Sequence, residues 1–343
     1  MNARGVPTFS ITILNWNSRA LLEQCLAALA AQTCRSFELI VVDNGSKDDS
    51  AAWLARTDVA ALVAAPAKVI MLDHNTGFAA GMNTGMRASA GQWLMPLNVD
   101  VFLAPDFLEQ AITAVRRHPE AAMLGARVLR HLNGPTDDVI CTGVWLASHL
   151  SIVTQLDDAG DERAVFGPAG CCPLFRRDAL EAARLEPAWT HGSVPEFYDE
   201  QYFAYGEDVD LYLRLQLLGF GCVYVPAMTC WHVHSGTQDG IRWHEKDAAT
   251  IRRVAANVHC TWLKNCPAKM LALLAPRVLL APFAMCAALL VRAPGKCLAP
   301  IAAVMDALQR LPRTLRIRRA LQARRVRGAD ELINFIHHRG SRQ

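Results

Sequence analysis

The first hundred residues alternate short apolar runs with helical stretches, and no other feature of the sequence constrains the fold as much. The apolar runs are FSITIL (9–14), ELIVVD (38–43), KVIML (68–72) and QWLMPL (92–97). Between the first two runs, SRALLEQCLAALAAQ places Leu22, Leu26 and Leu29 on one helical face. Repetition of strand, helix and strand requires right-handed crossovers. The sequence therefore predicts an α/β chain with a doubly wound, mostly parallel central sheet and flanking helices.

Length and cysteine content limit the remaining possibilities. At 343 residues and 52% hydrophobic content, the chain can bury one large core and leave about a hundred residues for a second region. The eleven cysteines form no C-x2-C pair, and the start, MNARGVPTFSITIL, lacks a secretory signal pattern. We therefore expect a cytosolic chain with reduced thiols. Because adjacent cysteines bridge poorly, core packing is favoured for Cys171 and Cys172.

Polar residues follow three of the predicted strands. Asn17, Asp43 and Asp100 stand where apolar runs end, and ligands of doubly wound sheets bind beyond the carboxyl ends of the strands. Asp43 closes a buried strand, so its carboxylate needs a partner, which a nucleotide base or ribose would supply. For Ser46, Asp48 and Asp49 the simpler interpretation is a helix N-cap with acidic residues in the first turn.

The stretch LDHNTGFAAGMNTGMRAS carries glycines four residues apart, Gly77, Gly81 and Gly85. Close packing of one helical face explains this spacing, which is not a dinucleotide-binding pattern. The functional alternative brings Asn75 and Gly77 to a nucleotide or sugar at the helix N-terminus and turns Asn83 toward the crevice.

Two acidic clusters suggest chemistry. In PLNVDV, Asp100 is a candidate ligand for Mg²⁺ or Mn²⁺ on a diphosphate, with Asn98 as a weaker neighbour, although N-x-D is a common tripeptide. In FYDEQYFAYGEDVD, Glu207 and Asp208 open a predicted amphipathic helix, where acids are ordinary dipole partners. The preceding aromatic residues favour a different interpretation, in which apolar surroundings raise the pKa of one carboxylate and suit it to act as a general base. In WHVHSGT, either His232 or His234 could complete a metal shell or hold phosphate, and zinc is discounted.

Together these stretches resemble a known family. SITILNWN, ELIVVDNGS, NTGFAAGMNTGMRASAGQWLMPLNVDVFLAPDFL, GPAGCCPLFRRDAL, FYDEQYFAYGEDVDLYLRLQLLGF and HVHSGT run in order over about residues 9–240. They are similar to the inverting nucleotide-sugar glycosyltransferases of family 2, which have the GT-A fold, and within them to the bacterial rhamnosyltransferase-like group. Where that group commonly has Asn-Pro-Asp, this chain has Asn-Val-Asp.

The resemblance implies a GT-A domain over residues 1–240, a C-terminal α-helical region over 241–343, and roles for individual residues. It implies metal contact for Asp100 and His232, catalysis by Asp208 as base with Glu207 beside it, and Mg²⁺ or Mn²⁺ as cofactor. The residues it implies in donor binding are Asn15, Asn17, Asp43, Asn44, Ser46, Asn75, Gly77, Phe78, Asn83 and Asn98.

The expected reaction is transfer of a sugar from a nucleotide-sugar donor to a hydroxyl of a glycan or polyprenyl-linked acceptor, in cell-wall or surface polysaccharide synthesis. The first choice of donor is dTDP-rhamnose, which supplies L-rhamnose. UDP-sugars remain open as donors. One alternative is a non-catalytic nucleotide-binding protein or membrane scaffold. Another is a sugar-phosphate nucleotidylyltransferase, although its Gly-rich N-terminal loop is missing here.

The C-terminal region suggests a membrane partner. Its apolar segment is interrupted by Pro276, Arg277 and Pro282, which leaves about fourteen clean residues, fewer than a spanning helix needs. A buried hairpin and a true span are the alternatives to helices at the membrane interface. Ten arginines from Arg310 onward favour an anionic membrane surface and a peripheral location at the inner face of the plasma membrane. We expect no nucleic acid, and the apolar region also suggests a homodimer.

Overall fold

The computed structural model describes residues 7–147, 152–158, 160–233 and 244–337. The strands are β1 Phe9–Asn15, β2 Phe37–Asp43, β3 Ala67–Met71, β4 Trp93–Asn98, β5 Val101–Leu103, β6 Ala121–His131, β7 Pro135–Cys141, β8 Val144–Ala147, β9 Ile152–Thr154, β10 Arg163–Val165, β11 Leu174–Arg176, β12 Gly221–His232 and β13 Ile336–His337. The α-helices are α1 Arg19–Ala30, α2 Ser50–Leu54, α3 Val59–Val63, α4 Phe78–Arg87, α5 Phe107–Arg117, α6 Arg177–Ala183, α7 Pro187–Thr190, α8 Glu207–Leu217, α9 Ala248–Asn265, α10 Ala268–Arg292, α11 Ala299–Ala323 and α12 Ala329–Ile333. Two 3₁₀ turns occupy Glu200–Tyr202 and Pro294–Lys296.

The chain divides into two compact units. The first is drawn from Met1–Val144, Thr154–Ala182 and Phe220–Ser235, and the second from Trp145–Val153, Ala183–Gly219 and Gly236–Gln343. The helix α8 thus belongs to the same unit as the C-terminal helices. The predicted boundary at residue 240 lies outside the described residues and stays a prediction.

The first unit is built on a mixed sheet with the strand order β10-β12-β6-β11-β4-β1-β2-β3. The four predicted strands are confirmed as β1 to β4, which run parallel to one another. Beyond β4 the direction changes, because β11 is antiparallel to both β4 and β6. The side chains of β1 are buried on both faces of the sheet. Ile11 and Ile13 lie on one face, and Ser10 and Thr12 lie on the other. Burial on both faces is typical of central strands in α/β sheets.

The register of the parallel strands aligns their carboxyl ends. Asn15 at the end of β1 is paired with Asp43 at the end of β2. On the other side of β1, Leu14 is paired with Asn98 at the end of β4. Polar side chains that are far apart in the sequence therefore meet at one edge of the sheet.

The glycines of α4 pack closely against this sheet, as the simpler interpretation predicted. A Cβ on Gly85 would lie 2.3 Å from Thr12 Cγ2, and one on Gly81 would lie 2.6 Å from Leu14 Cδ1. Gly77 precedes the helix with φ +88°, a backbone conformation that glycine adopts without a steric cost. The close approach fixes the N-terminus of α4 next to the ends of β1 and β2.

The second unit is mostly helical. Ala255 and Ala256 of α9 pack with Ala303 of α11, and Ile251 packs with Leu289 of α10. The helix α8 is not amphipathic as predicted, because every residue from Asp210 to Leu217 is buried. The strands β13, β8 and β9 form a separate small sheet.

The prediction of an interrupted apolar segment is wrong. Pro276 and Pro282 lie inside α10, a continuous helix of 25 residues. Among the described residues, α10 is the one helix whose length and composition would suffice to cross a membrane, and little of its most apolar stretch is buried. A proline in a helix interior removes one hydrogen bond at a cost of about 3 kcal/mol, which the packing of neighbours such as Met270 and Leu274 helps to offset.

Candidate active site

Asp43 is buried and fully engaged by its own loop. Its carboxylate accepts hydrogen bonds from Asn15 Nδ2 at 2.9 Å, from the Ser46 backbone N–H at 2.9 Å and from Ser46 Oγ at 2.7 Å. The burial of Asp43 therefore does not by itself require a ligand, contrary to the argument from sequence. The side chain that lacks a partner is that of Asn15. Within the described part of the chain, its buried Oδ1 accepts no hydrogen bond.

Asn17 connects the loops that follow β1 and β2. Its Oδ1 accepts from the backbone N–H groups of Lys47 at 2.6 Å and Asp48 at 3.3 Å, and its own N–H donates to Ser46 Oγ at 3.0 Å. Asn17 has a positive φ of 52°, a conformation that asparagine tolerates better than most residues. Asp49 stands at the N-cap position of α2 without a capping hydrogen bond from its side chain, whereas Asp48 Oδ1 accepts from the N–H of Ser50, the first residue of the helix, at 3.0 Å.

Asn44 connects the loop after β2 to the start of α4. Its Nδ2 donates to Asn75 Oδ1 and to the Gly77 carbonyl, both at 3.2 Å, while its Oδ1 accepts from the Thr76 N–H at 2.9 Å. Asn75 Oδ1 also accepts from the Gly77 N–H at 2.8 Å. These bonds set the geometry of the α4 N-terminus, the position predicted to approach the donor.

Two predicted donor residues lie within α4 itself. Phe78 is its first residue and is half-buried. Asn83 is fully buried inside the helix packing. A donor contact by either residue stays a prediction.

Asp100 and His232 are brought together by strand pairing. β12 runs antiparallel to β5 with His232 opposite Val101, so His232 lies beside Asp100. Its Nε2 is 3.2 Å from Asp100 Oδ1, and the Val233 N–H donates to the Asp100 carbonyl at 3.0 Å. Both side chains are almost completely buried. His234, the other predicted candidate, lies outside the described residues.

Cys171 is a neighbour of this pair that the sequence reasoning treated as core packing alone. Its carbonyl accepts from the Asn98 N–H at 2.9 Å. Burial lowers the pKa of His232, but the Cys171 and Asp100 side chains outweigh it and raise that pKa to about 10. All eleven cysteines are free, and Cys171 and Cys172 are both buried as predicted. The GPAGCC motif, which stood out in the sequence, was the available signal for this contact.

The donor set around Asp100 suits a divalent ion that also binds substrate. Among the described residues, no group of three or more His, Cys, Asp and Glu side chains is placed to hold a metal. Mg²⁺ typically uses one or two carboxylates and takes its remaining ligands from water and substrate phosphates. A carboxylate at Asp100, an imidazole at His232 and an amide at Asn98 fit that mode of binding, and imidazole also suits Mn²⁺.

The second unit holds the two acids of the Glu-Asp pair at the start of α8. Burial, followed by the charge of Asp208, raises the pKa of Glu207 to about 8. Burial also raises the pKa of the half-buried Asp208. Within the described residues, Glu207 Oε2 is buried without a hydrogen-bond partner. Burial therefore favours the protonated form of Glu207.

A strained loop leads into these acids. Phe203, Tyr205 and Gly206 all have positive φ angles, of 61°, 72° and 90°. Asn257 of α9 supports this loop, because its Nδ2 donates to the carbonyls of Tyr202, Ala204 and Tyr205 at 2.8 to 3.1 Å. Non-glycine residues at such angles are unusual and often mark functional sites. The sequence gave no signal for Asn257.

A buried network of charges lies next to α8. Lys264 of α9 contacts Asp199 and lies 2.8 Å from Asp210 Oδ1, while Arg214 donates to Asp210 Oδ2 at 3.0 Å. Arg313 donates to Asp199 Oδ1 at 2.6 Å. Asp210 and Arg214 stand four residues apart on α8, the spacing of a simple surface pair on a helix, but both side chains are fully buried. The network anchors the helix that carries Glu207 and Asp208.

Comparison with known proteins identifies the family. The sequence model described as Glycosyl transferase family 2 matches residues 10–183, just over half of the chain. The chain belongs to glycosyl transferase family 2. It is therefore a glycosyltransferase that uses a nucleotide-sugar donor, as predicted.

Two relatives and one solved structure extend this result. The glycosyltransferase is 25% identical over 223 residues to the amylovoran biosynthesis glycosyltransferase AmsE of Erwinia amylovora. This alignment covers 63% of this chain and 71% of the relative. The glycosyltransferase is 28% identical over 246 residues to the N-acetylglucosaminyl-diphospho-decaprenol L-rhamnosyltransferase of Mycobacterium tuberculosis, covering 64% and 74%. The crystal structure of GalNAc-T7 with UDP, GalNAc and Mn²⁺ aligns with a TM-score of 0.59 at 12% identity, over 76% of this chain and 48% of that one.

The structural likeness shows the fold alone, and the predicted GT-A fold is confirmed. This chain spans about half the length of the GalNAc-T7 chain. The donor-edge residues Asn15, Asp43, Asn44 and Ser46 meet as the sequence predicted, and their individual roles remain predictions.

Proposed function

We propose that this glycosyltransferase is metal-dependent and inverting, and that it transfers L-rhamnose from dTDP-rhamnose to a hydroxyl of a glycan or polyprenyl-linked glycan in cell-wall or surface polysaccharide synthesis. The pairing of Asp100 with His232 at 3.2 Å carries the proposal. The names of both relatives support it, one being an L-rhamnosyltransferase of a diphospho-decaprenol substrate and the other an enzyme of amylovoran biosynthesis. UDP-sugars are the second class of donor to test.

In the proposed complex, the nucleotide base lies at the Asp43 edge of the sheet. Asn15 Oδ1 has a buried acceptor position without a partner among the described residues, and an N–H of a pyrimidine base would satisfy it. Asn44 and Asn75 hold the N-terminus of α4, where backbone N–H groups and the helix dipole favour the phosphates.

Asp100 and His232, with Asn98 beside them, would hold Mg²⁺ or Mn²⁺, which when bound neutralises charge on the departing diphosphate. A divalent ion also accompanies UDP in the GalNAc-T7 structure. Burial of Asp100 excludes water from most of its surface, which strengthens its attraction for a cation.

Asp208 acts as the general base. It takes the proton of the acceptor hydroxyl as the oxygen bonds to the anomeric carbon, and the bond from that carbon to the diphosphate oxygen breaks. The raised pKa of Asp208 makes its carboxylate a stronger base than an ordinary aspartate. Because the hydroxyl attacks opposite the leaving group, the anomeric configuration inverts.

We further propose a peripheral location at the inner face of the plasma membrane. The apolar surface of α10 supports it, with Leu279, Phe283 and Leu290 each more than half exposed. The lipid-linked substrate in the name of the mycobacterial relative points the same way. A homodimer through this surface stays a prediction.

The test is product formation from purified protein with dTDP- and UDP-sugars, with and without Mn²⁺ or Mg²⁺, and with a lipid-linked glycan acceptor. We expect one donor to be consumed in a metal-dependent way that Asp100→Ala abolishes, with an inverted product. A retained anomeric configuration would contradict the mechanism. If no donor binds and metal has no effect, the non-catalytic scaffold function is favoured.

A further inference from the structure

The second unit contains a cavity of about 360 Å³ that the proposed reaction does not use. Three of its six lining residues are arginines. One residue begins α10, four come from the later turns of α11, and Arg325 lies just after α11. The lining residues are Ala268, Leu315, Arg318, Arg319, Gln322 and Arg325.

Two of these side chains are fixed by the end of α9. Arg318 donates to the carbonyls of Leu263 and Cys266 at 2.7 and 2.6 Å, and Gln322 Nε2 donates to the Asn265 carbonyl at 2.8 Å. These bonds build a rigid wall of the cavity. Arg319 and Arg325, in contrast, are exposed at its surface.

The exposed side of α11 changes from apolar to basic as it reaches the cavity. Ile301, Met305, Leu308 and Leu315 recur at helical spacing and are each about one third to one half exposed. Arg319 continues the same stripe one turn later, and it lines the cavity. The stripe therefore ends in a positive charge beside an open cavity.

The helix α10 brings a second apolar surface to the same place. It begins at Ala268, which lines the cavity, and the positive end of its dipole is directed there. Further along, Leu279, Leu280 and Phe283 are more than 60% exposed. An apolar surface that ends in a basic cavity matches the boundary between the acyl chains and the phosphates of a bilayer.

We propose that this cavity binds the phosphate of an anionic membrane lipid while the exposed side chains of α10 and α11 lie in the membrane interface. The proposal deepens the membrane location proposed above by naming the binding site. Charge decides between a bilayer and a second copy of the chain. Asp306 is the one acid in the sequence of α10 and α11, and it pairs with Arg252. A symmetric dimer would place arginines against arginines, whereas lipid phosphates complement them.

The test is co-sedimentation of the full chain with vesicles. Wild type is expected to bind vesicles of equal parts phosphatidylcholine and phosphatidylglycerol. Arg319→Gln with Arg325→Gln should weaken that binding about 25-fold, because each basic side chain at an anionic surface contributes roughly fivefold.

The matched control is Arg316→Gln with Arg324→Gln. These exposed arginines lie on or directly after α11, carry the same charge and contact Trp189 outside the cavity. The control should retain most of the binding. Equal losses in the two double variants would overturn the cavity and leave general electrostatic attraction. Equal binding to pure phosphatidylcholine would also overturn it.

Competition by soluble glycerol phosphate and by inorganic phosphate distinguishes a lipid phosphate from free phosphate as the ligand of the cavity. If either binds the lipid-free protein tightly enough to prevent vesicle binding at matched phosphate concentration, the cavity is a site for free phosphate and the proposal is wrong. Nucleotide-sugar binding by all variants in solution should equal that of wild type. Its loss in wild type would contradict the proposed transferase function without affecting the result for the lipid site.

Discussion

Two buried carboxylates, Asp43 in the first unit and Glu207 in the second, have opposite environments. At the donor edge of the first unit, Asp43 receives hydrogen bonds from Asn15 and Ser46 at 2.7 to 2.9 Å. In the second unit, Glu207 is equally buried but its Oε2 has no hydrogen-bond partner among the described residues, and its pKa is raised to about 8.

The difference shows how one chain can prepare carboxylates for different tasks. Donated hydrogen bonds satisfy a buried carboxylate and hold it in one orientation, which suits the recognition of a ligand. Burial of Glu207, with one carboxylate oxygen left without a donor among the described residues, disfavours its charged form, and burial likewise raises the pKa of Asp208, which suits proton transfer. Changes in each unit should therefore have different consequences.

The largest expected effect is that of Asp208→Asn. Removal of the proposed base should lower turnover about a thousandfold, or about 4 kcal/mol, because proton transfer from the acceptor is lost. Donor affinity should be unchanged, since the residues proposed to bind the donor belong to the first unit. Turnover and donor binding are measured on the same preparation, and near-normal turnover would remove Asp208 from the mechanism.

Lys264→Met tests the buried charges next to α8. The change leaves Asp199 and Asp210 without one of their cationic partners, so the free energy of unfolding should fall by about 3 to 4 kcal/mol in a denaturant titration. Lys269→Met is the matched control. It removes an exposed pair with Asp330 and should change stability by less than about 1 kcal/mol. Equal effects would mean that the buried network does not stabilise the unit.

Glu207→Gln tests the raised pKa through the pH dependence of stability. Because the folded chain favours protonated Glu207, wild type has the full benefit below about pH 4.5 and loses it as the pH rises through about 8. The stability of wild type relative to the variant should therefore fall by roughly 4 kcal/mol over that interval. Parallel pH profiles of unfolding would show that Glu207 titrates normally.

A smaller effect is expected for Asn257→Ala, which removes three hydrogen bonds to the loop before α8. We expect a loss of about 2 kcal/mol in the free energy of unfolding, because each bond contributes roughly 1 kcal/mol or less and the loop can relax. Gln309→Ala, an exposed change on α11, is the control. If both variants unfold like wild type, Asn257 does not support the loop.

The donor edge could be predicted from the sequence because its information is local. Each of β1, β2 and β4 is an apolar run that ends in a polar residue, and parallel pairing brings those ends together. The engagement of Asp43 by Ser46 and Asn15 was not predicted, since it depends on the turn between Asp43 and Ser46.

The second unit was less predictable because its contacts are long-range. The spacing of Asp210 and Arg214 indicates that they pair, but nothing in the residues around Asp210 indicates that both are buried or that Lys264 contacts Asp210. The continuity of α10 through Pro276 likewise depends on packing rather than on local propensity. A charged residue is expected to be exposed when only its sequence neighbours are considered. Its burial can be recognised only when its partners on other helices are known.

The most direct test of the division of labour is calorimetric donor binding with and without Mn²⁺, comparing wild type, Asp100→Ala and Asp208→Asn. We predict that Mn²⁺ strengthens binding to wild type and to Asp208→Asn equally and has no effect on Asp100→Ala. Metal-dependent binding that survives in Asp100→Ala, or disappears in Asp208→Asn, would contradict the assignment of donor binding to one unit and proton transfer to the other.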